Sequence, residues 1–263
     1  MKKTITSASA VLALSLVGVV QPISAETLRV GMECTYAPFN YRTQSGELAG
    51  YDVDVAKGVA KIIGADLDFV CQKWPGMIPA LLANKFDLVV ASMSITDSRL
   101  KKMDFSIPYR ISVGRLVGKT KNNFKLFDDA GAPIADNFKG IKVGLEKGST
   151  YAAWFKAKLP GADIKYYEST EAVYLDLING RTDVIMTNPM KAHLKFLSKD
   201  EGATYSFVSP QIDEKEYFGI GVGVGLRKGN DPLKMRINAA LETLTADGSL
   251  GKYALKYFPF TIH

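Results

Sequence analysis

The chain has 263 residues, 47% of them hydrophobic and 23% charged, which is enough apolar material to bury a large core in one domain or in two. Its formal net charge of +6 comes from basic residues that are scattered along the sequence rather than clustered. The sequence therefore gives little support to a prediction of nucleic-acid binding. Its composition is that of an ordinary globular protein.

The first 25 residues predict a secretory signal peptide. Lys2 and Lys3 precede an apolar stretch at residues 8–20, and Pro22 and small residues lead to Ala25. That stretch is too short to span a membrane comfortably, so we prefer a signal peptide to a membrane anchor. Cleavage after Ala25 would leave an exported, periplasmic protein whose formal charge, without the two lysines, is +4.

From Thr27 onward, short apolar runs alternate with amphipathic helical runs, a pattern typical of βαβ units in a largely parallel sheet covered by helices. The first half contains "TLRVGM", "YDVDVAKGVAKII", "DLDFVC", "GMIPALLANK" and "DLVVASMS". Asp52 and Asp54 fall in the first turn of the first helix, where we expect them to cap the helix and to be solvated. Cys34 and Cys71 lie at the ends of two strands that could be neighbours, which permits either one disulfide or two buried thiols.

A second alternation of strands and helices begins near Ile141 with "IKVGL", "STYAAWFKAKL", "DIKYYE", "STEAVYLDLING", "TDVIMT" and "PMKAHLKFL". Two β-type runs, "PYRISVGRLVGKT" and "KEYFGIGVGVGLRKG", connect the halves. Two crossings between two α/β lobes permit closure about a ligand. We therefore predict two α/β lobes joined by two hinge strands, with lobe 1 formed by residues 26–111 and 220–263 and lobe 2 by residues 112–219.

Ligands of open parallel sheets bind just outside the carboxyl ends of the strands. The residues at these positions are rich in recognition groups: Glu33, Tyr36, Trp74, Ala91, Ser92, Ser94, Arg99, Glu146, Ser149, Thr150 and Asn188. The only histidines are His193, in a predicted helix, and His263, the last residue, so no nucleophile and base pair can be assembled. No cluster of His, Cys and carboxylates has metal-ligand spacing, so we predict no metal and no other cofactor.

The segments "ECTYAPFNYRTQSGELAGYDVDVAKGVAKII" and "ASMSITDSRLKKMDFSIPY" resemble the periplasmic solute-binding proteins of ABC importers for polar amino acids (family 3). This group includes the histidine-binding and the lysine/arginine/ornithine-binding proteins. Its pattern of Gly, aromatic, acid, apolar, acid is met at Gly50 to Asp54, and the resemblance extends over residues 26–263. It implies a Venus-flytrap fold of type II, in a monomer that delivers its ligand to a permease in the inner membrane.

The resemblance implies that Arg99 pairs with the α-carboxylate of the ligand. Ser92, Ser94 and, from the other lobe, Thr150 would donate further hydrogen bonds. The chemistry agrees, because a guanidinium matches a carboxylate with two parallel hydrogen bonds and backbone amides after Thr96 suit an anion.

The side-chain end of the implied pocket is acidic and aromatic. Glu33 stands where binders of cationic amino acids carry an Asp for the distal cation, and Tyr36 matches their stacking Tyr. Trp74 would add a second aromatic wall and Glu146 a further acid. We therefore predict a ligand with a basic side chain, of the arginine, lysine, ornithine or histidine type.

Asn188 departs from the ordinary amino-acid binders, which have an Asp that pairs with the free α-ammonium. Losing such a pair at about 4 Å removes roughly 4 kcal/mol at an effective dielectric near 20. The nopaline- and octopine-binding members are similar here, since they combine a Glu, a Trp and an Asn at the matching positions. Ala91 would widen the same end of the pocket, so an opine-like, N-substituted derivative is the alternative ligand.

Two other functions remain open. Cyclohexadienyl dehydratases, which act on prephenate or arogenate, share the implied fold, and Glu146 with Lys147 could form a titratable pair for acid/base elimination. A sensor domain that presents the same fold to a kinase is the third possibility. We favour a receptor without enzymatic activity.

Overall fold

The computed structural model describes residues 26–259 and residue 262, so the predicted signal peptide and its cleavage site lie outside the described residues. In that part of the chain, the strands are β1 (Glu26–Met32), β2 (Thr35–Tyr36), β3 (Asn40–Arg42), β4 (Leu48–Ala49), β5 (Ala65–Cys71), β6 (Leu88–Val89), β7 (Asp104–Arg110), β8 (Arg115–Lys119), β9 (Lys142–Glu146), β10 (Asp163–Tyr167), β11 (Val184–Thr187), β12 (Tyr205–Phe207) and β13 (Val222–Leu226). The helices are α1 (Tyr51–Ile63), α2 (Met77–Leu82), α3 (Asp97–Leu100), α4 (Thr150–Lys158), α5 (Thr170–Ile178), α6 (Pro189–Ala192), α7 (Lys215–Phe218), α8 (Asp231–Ala246) and α9 (Ser249–Leu255). None of these helices combines the length and the apolarity needed to cross a membrane.

Two five-stranded sheets organise the molecule. The first has the order β5-β1-β6-β13-β7 and takes its strands from residues 26–110 and 222–226. The second has the order β10-β9-β11-β8-β12 and lies wholly within residues 115–207. Each sheet packs against its own helices around buried apolar side chains, so the two-lobe prediction is confirmed. The precise lobe boundaries at 111/112 and 219/220 stay a prediction.

The sheets are more mixed than the sequence pattern predicts. β1 runs parallel to β5 and β6, and β9 runs parallel to β10 and β11. The strands that follow the crossings run the other way: β8 is antiparallel to β11, and β13 is antiparallel to β6 and β7. The expectation of largely parallel sheets is therefore wrong. The strand that follows each crossing runs in the opposite direction to the parallel strands of the sheet that it joins.

The two connecting β-type runs are also shorter than predicted. The first is interrupted between Arg110 and Arg115, where β7 ends and β8 begins. The second opens with helix α7 and becomes a strand only at Val222. Between them, Gly219 has a φ of 71°, and a Cβ at this position would collide with the carbonyl oxygen of Ile95. Only glycine fits this return crossing.

Helix α1 covers the run "YDVDVAKGVAKII" that the sequence pattern predicts to be helical. It ends at Gly64, which adopts the left-handed conformation with a φ of 70° and donates its N–H to the carbonyl of Ala60. Val53, Val55 and Val59 are buried against the first sheet. This packing, rather than a side-chain cap at its first turn, anchors the helix.

Cys34 and Cys71 form a disulfide, with their Cα atoms 5.6 Å apart. β1 and β5 are parallel neighbours, and Met32 lies opposite Cys71 in their register. Cys34 is two residues further along, so the pairing follows from the strand order. Of the two alternatives, the disulfide is the one found.

Candidate ligand-binding site

A cavity lies at the carboxyl ends of strands from both large sheets. All eleven positions that the strand-end argument selects line it: Glu33, Tyr36, Trp74, Ala91, Ser92, Ser94, Arg99, Glu146, Ser149, Thr150 and Asn188. Five further residues that the sequence did not single out complete the wall: Arg110, Ser112, Val113, Tyr151 and Val222. The strand-end positions therefore converge on one cavity, and their contact with a ligand stays a prediction.

The guanidinium of Arg99 is fixed by the backbone of both lobes. Its Nη1 donates to the carbonyl of Ser94 at 3.0 Å, and its Nη2 donates to the carbonyl of Gly148 at 3.4 Å. The backbone N–H of Arg99 donates to the hydroxyl of Thr96, the N-cap of α3, and Trp74 lies 5.3 Å from the guanidinium. Burial lowers the pKa of Arg99 to about 10, because its charge is desolvated.

Both predicted aromatic walls also contact a cation of the protein itself. The ring of Trp74 lies over Arg99, and the ring of Tyr36 lies 4.6 Å from Nζ of Lys191. Tyr36 also stacks on Phe39 at 5.4 Å between ring centroids. The rings therefore help to hold the protein's own charged groups in place, whatever they contribute to a ligand.

Ser92 is held by a buried carboxylate. Ser92 has a φ of 54°, in the left-handed region, which costs about 1 kcal/mol for an L-residue. Its Oγ donates to Asp52 at 2.8 Å, and Asp52 also accepts hydrogen bonds from Asn40 and from the hydroxyl of Tyr109. The expectation that Asp52 is solvated is wrong, because the side chain is fully buried among these three hydrogen-bond donors. Since the hydroxyl hydrogen of Ser92 is committed to Asp52, a hydrogen bond from Ser92 to a ligand would come from its backbone N–H.

The other hydroxyl groups are also engaged. Oγ of Ser94 lies 2.7 Å from Oγ of Ser112, so one of these hydroxyls donates a hydrogen bond to the other. Ser149 is the N-cap of α4 and accepts the N–H of Ala152 at 3.1 Å. Thr150 is the first residue of that helix, where backbone N–H groups without intrahelical partners favour an anion.

Two buried carboxyl groups from different sheets form the acidic part of the cavity. Glu33 follows β1 and is 8% exposed, whereas Glu146 ends β9 and is 6% exposed. The Oε1 atom of each is buried without a hydrogen-bond partner in the described part of the chain. Burial raises the pKa of Glu33 to about 7, against the opposing charge of Lys191. Burial, reinforced by the charge of Glu33, raises the pKa of Glu146 well above its usual range.

A buried lysine that the sequence did not reveal stands beside this acidic pair. Lys191 is 5% exposed, and its Nζ lies 3.4 Å from Oε1 of Glu171. Because Glu171 already pairs with it, Lys191 does not neutralise both cavity glutamates.

Asn188 is the N-cap of α6. Its Oδ1 accepts the backbone N–H groups of Met190 and Lys191 at 3.0 and 3.2 Å. Because the amide oxygen is used in this way, the NH₂ group is left to face the cavity that Asn188 lines. Asn188 can therefore donate a hydrogen bond there, but it offers no negative charge.

The proposed acid and base pair of the enzyme alternative is not assembled in the cavity. Nζ of Lys147 lies 3.6 Å from Glu168, and both side chains are largely exposed. His193 is exposed in the turn that follows α6. Among residues 26–259 and 262, no group of three His, Cys, Asp or Glu side chains could hold a metal ion.

The sequence profile of the bacterial extracellular solute-binding proteins, family 3, matches residues 28–260. The chain belongs to this family. The resemblance drawn from the sequence is thereby confirmed over nearly the whole length that was expected to fold.

Individual relatives are similar over their full length. The L-arginine-binding protein of Pseudomonas aeruginosa is 35% identical over 254 residues, which cover 96% of this chain and 95% of the relative. The lysine/arginine/ornithine-binding periplasmic protein of Escherichia coli is 33% identical over 265 residues, which cover 100% of this chain and 99% of the relative. The structure of an ancestral arginine-binding protein bound to arginine is 33% identical, with a TM-score of 0.78, over 88% of this chain and 98% of that one. These relatives are binding proteins.

The cavity residues that the sequence interpretation missed lie on the crossing and inside a helix. Arg110 is the last residue of β7, and Ser112 lies two residues later in the connection to β8. Their spacing of two in a predicted β-type run was a usable signal, but it does not show which face of the run meets the cavity. Tyr151 follows Thr150 in α4, and its place in a predicted helix suggests an aromatic residue of the core rather than of the cavity.

Proposed function

We propose that the chain is a periplasmic receptor for a cationic amino acid, of the arginine, lysine, ornithine or histidine type, or for an opine-like, N-substituted derivative of one. It would deliver this ligand to the permease of an ABC importer in the inner membrane when its two lobes close. The family, and the names of the relatives that bind arginine, lysine, ornithine or histidine, support this function.

The observation that carries the proposal is the separation of charge in the cavity. Arg99 forms no ion pair with any carboxylate in the described part of the chain. Glu33 and Glu146 each bury a carboxyl oxygen that has no hydrogen-bond partner within residues 26–259 and 262. A buried guanidinium and a buried acidic pair that form no ion pair with each other favour a ligand that is anionic at one end and cationic at the other, because a ligand cation would stabilise the ionised form of the glutamates. A basic amino acid has this distribution of charge.

Asn188 supports the N-substituted derivative over the free amino acid. A free α-ammonium gains from a nearby carboxylate, whereas the NH₂ group of Asn188 supplies only a donor. An α-nitrogen that carries a substituent depends less on that charge. The position of Lys147, outside the cavity wall, counts against a dehydratase.

Isothermal titration calorimetry of the mature protein tests the proposal. Co-purified ligand is first removed by unfolding and refolding, and arginine, lysine, ornithine, histidine, N²-(1-carboxyethyl)arginine and glutamine are then titrated. We expect tight binding of at least one basic compound and much weaker binding of glutamine. Tightest binding of a neutral amino acid, or turnover of prephenate or arogenate, would refute the assignment.

A further inference from the structure

Arg110 is a second buried guanidinium in the cavity wall. It is the last residue of β7, is 5% exposed and lines the cavity. Its Nη1 donates to the carbonyl of Ile111 at 2.8 Å, and its guanidinium lies 4.3 Å from the ring of Phe39. The Nε atom is fully buried and has no hydrogen-bond partner among the residues that the structure describes.

The backbone places Arg110 on the same wall as Arg99. Val222 pairs with Arg110 on one side and bridges to Ser94 on the other, so Ser94 and Arg110 are two strand spacings apart, about 10 Å. Nη1 of Arg99 donates to the carbonyl of Ser94. Ser112, which also lines the cavity, forms a hydrogen bond between its hydroxyl and that of Ser94. Two arginines and two serines therefore line one continuous surface.

Within residues 26–259 and 262, no carboxylate forms an ion pair with Arg110. The positive charge of Arg110 acts on nearby tyrosine hydroxyls, and its contribution lowers their pKa. The hydroxyls of Tyr36, Tyr109 and Tyr151 are among them. A cation that is desolvated without an anionic partner is costly, and a ligand anion removes that cost.

We infer that Arg110 is a second anion-binding group of the site, and that the ligand therefore carries an acidic group in addition to the carboxylate bound by Arg99. The chemical class is a basic amino acid whose α-nitrogen bears a carboxyalkyl substituent. The two guanidinium groups complement two anions, and the pair of Glu33 and Glu146 together complements one cation, whereas a free basic amino acid leaves Arg110 without a counter-charge. This inference rests on the proposed function and narrows its ligand class.

Paired ligands test the second anion site, because arginine and N²-(1-carboxyethyl)arginine differ by one carboxyalkyl group. Calorimetry is performed with the ligand-stripped wild type and with Arg110→Gln. We expect the wild type to bind the carboxyethyl compound more tightly than arginine. Arg110→Gln should weaken the carboxyethyl compound roughly 10- to 100-fold, the range of a lost charge-assisted contact, and should change arginine less than about threefold.

Arg115→Gln is the matched control, because Arg115 also lies over an aromatic ring, that of Phe207, but does not line the cavity. It should leave both affinities unchanged. Circular dichroism checks that each variant is folded. If Arg110→Gln fails to fold, Arg110→Lys replaces it and should weaken the carboxyethyl compound selectively, because a lysine lacks the planar fork.

Two outcomes would overturn the second anion site while the proposed receptor stands. In the first, Arg110→Gln weakens arginine and the carboxyethyl compound equally, which makes Arg110 a structural residue. In the second, the wild type binds arginine at least as tightly as the carboxyethyl compound. If the wild type binds no basic compound at all, the proposed function fails and this inference fails with it.

Discussion

Replacing Glu33 with Gln should remove much of the pH dependence that the buried acidic pair imposes on the ligand-free protein. Burial raises the pKa of Glu33 from 4.5 to about 7, so the folded chain retains this proton to a higher pH than the unfolded chain. The resulting stabilisation is fully present below about pH 4.5 and is lost as the pH rises through about 7. The difference between the two pKa values corresponds to about 3 kcal/mol of unfolding free energy.

Urea unfolding at pH 4.5 and at pH 8 measures this contribution. Between these values, the unfolding free energy of the ligand-free wild type should fall by about 3 kcal/mol more than that of Glu33→Gln. Glu47→Gln is the matched control, because Glu47 is exposed and lies outside the cavity. It should follow the wild type.

Ligand affinity tests the same assignment, but it should increase with pH where the unfolding free energy decreases. A cation binds the ionised form of Glu33, so the affinity for the basic ligand should rise about tenfold per pH unit below pH 7 and level off above it. In Glu33→Gln, the affinity should be lower and this rise largely absent. An identical pH dependence in both proteins, in stability and in binding, would refute the assignment of the cation site to Glu33.

Three further predictions concern other parts of the structure. Arg99→Ala should lower the affinity for every carboxylate ligand by at least roughly 100-fold in calorimetry, and retained affinity would contradict its role. Replacing Cys34 and Cys71 with Ser should lower the unfolding free energy in urea by about 4 kcal/mol, given their sequence separation of 37 residues, and an unchanged value would contradict this. Asn188→Asp should raise the affinity for free arginine relative to the carboxyethyl compound while preserving the cap of α6, because Asp caps a helix as well as Asn. An unchanged ratio would remove the reason for preferring the N-substituted ligand.

The composition of the cavity was largely predictable because it follows from topology. Parallel strands present their ends at the same edge of a sheet. In the first sheet Glu33 follows β1 and Ser94 comes after β6; in the second Glu146 ends β9 and Asn188 follows β11. A periodic pattern of strands and helices is therefore sufficient to bring such residues together within each lobe, whereas the meeting of the two sheet edges depends on how the chain crosses between the lobes. Whether a residue lines the cavity depends more on its position relative to a strand end than on its place in the sequence.

The residues that could not be predicted depend on packing between segments that are distant in sequence. Asp52 has the position of a helix-capping acid, and only the approach of Asn40 and Ser92 makes it a buried acceptor. Arg110 lies on a crossing whose orientation is set by its pairing with β13, more than a hundred residues later. The antiparallel strands escaped prediction for the same reason, since local periodicity carries no information about strand direction.

Glu33 and Glu146 come from different sheets, so the lobe closure proposed above would change the distance between them. Burial raises the pKa of both groups, so ionised carboxylates in the closed cavity would oppose that closure at neutral pH. A ligand cation placed between them would offset this cost. A ligand carboxylate would likewise offset the desolvation of Arg99, whose guanidinium reaches Gly148 in the second lobe. A neutral amino acid could satisfy Arg99 but would leave the acidic pair unbalanced. Discrimination against neutral ligands should therefore arise from the free energy of closure rather than from contacts within either lobe alone, because a ligand shifts a conformational equilibrium only by its difference in affinity for the two states.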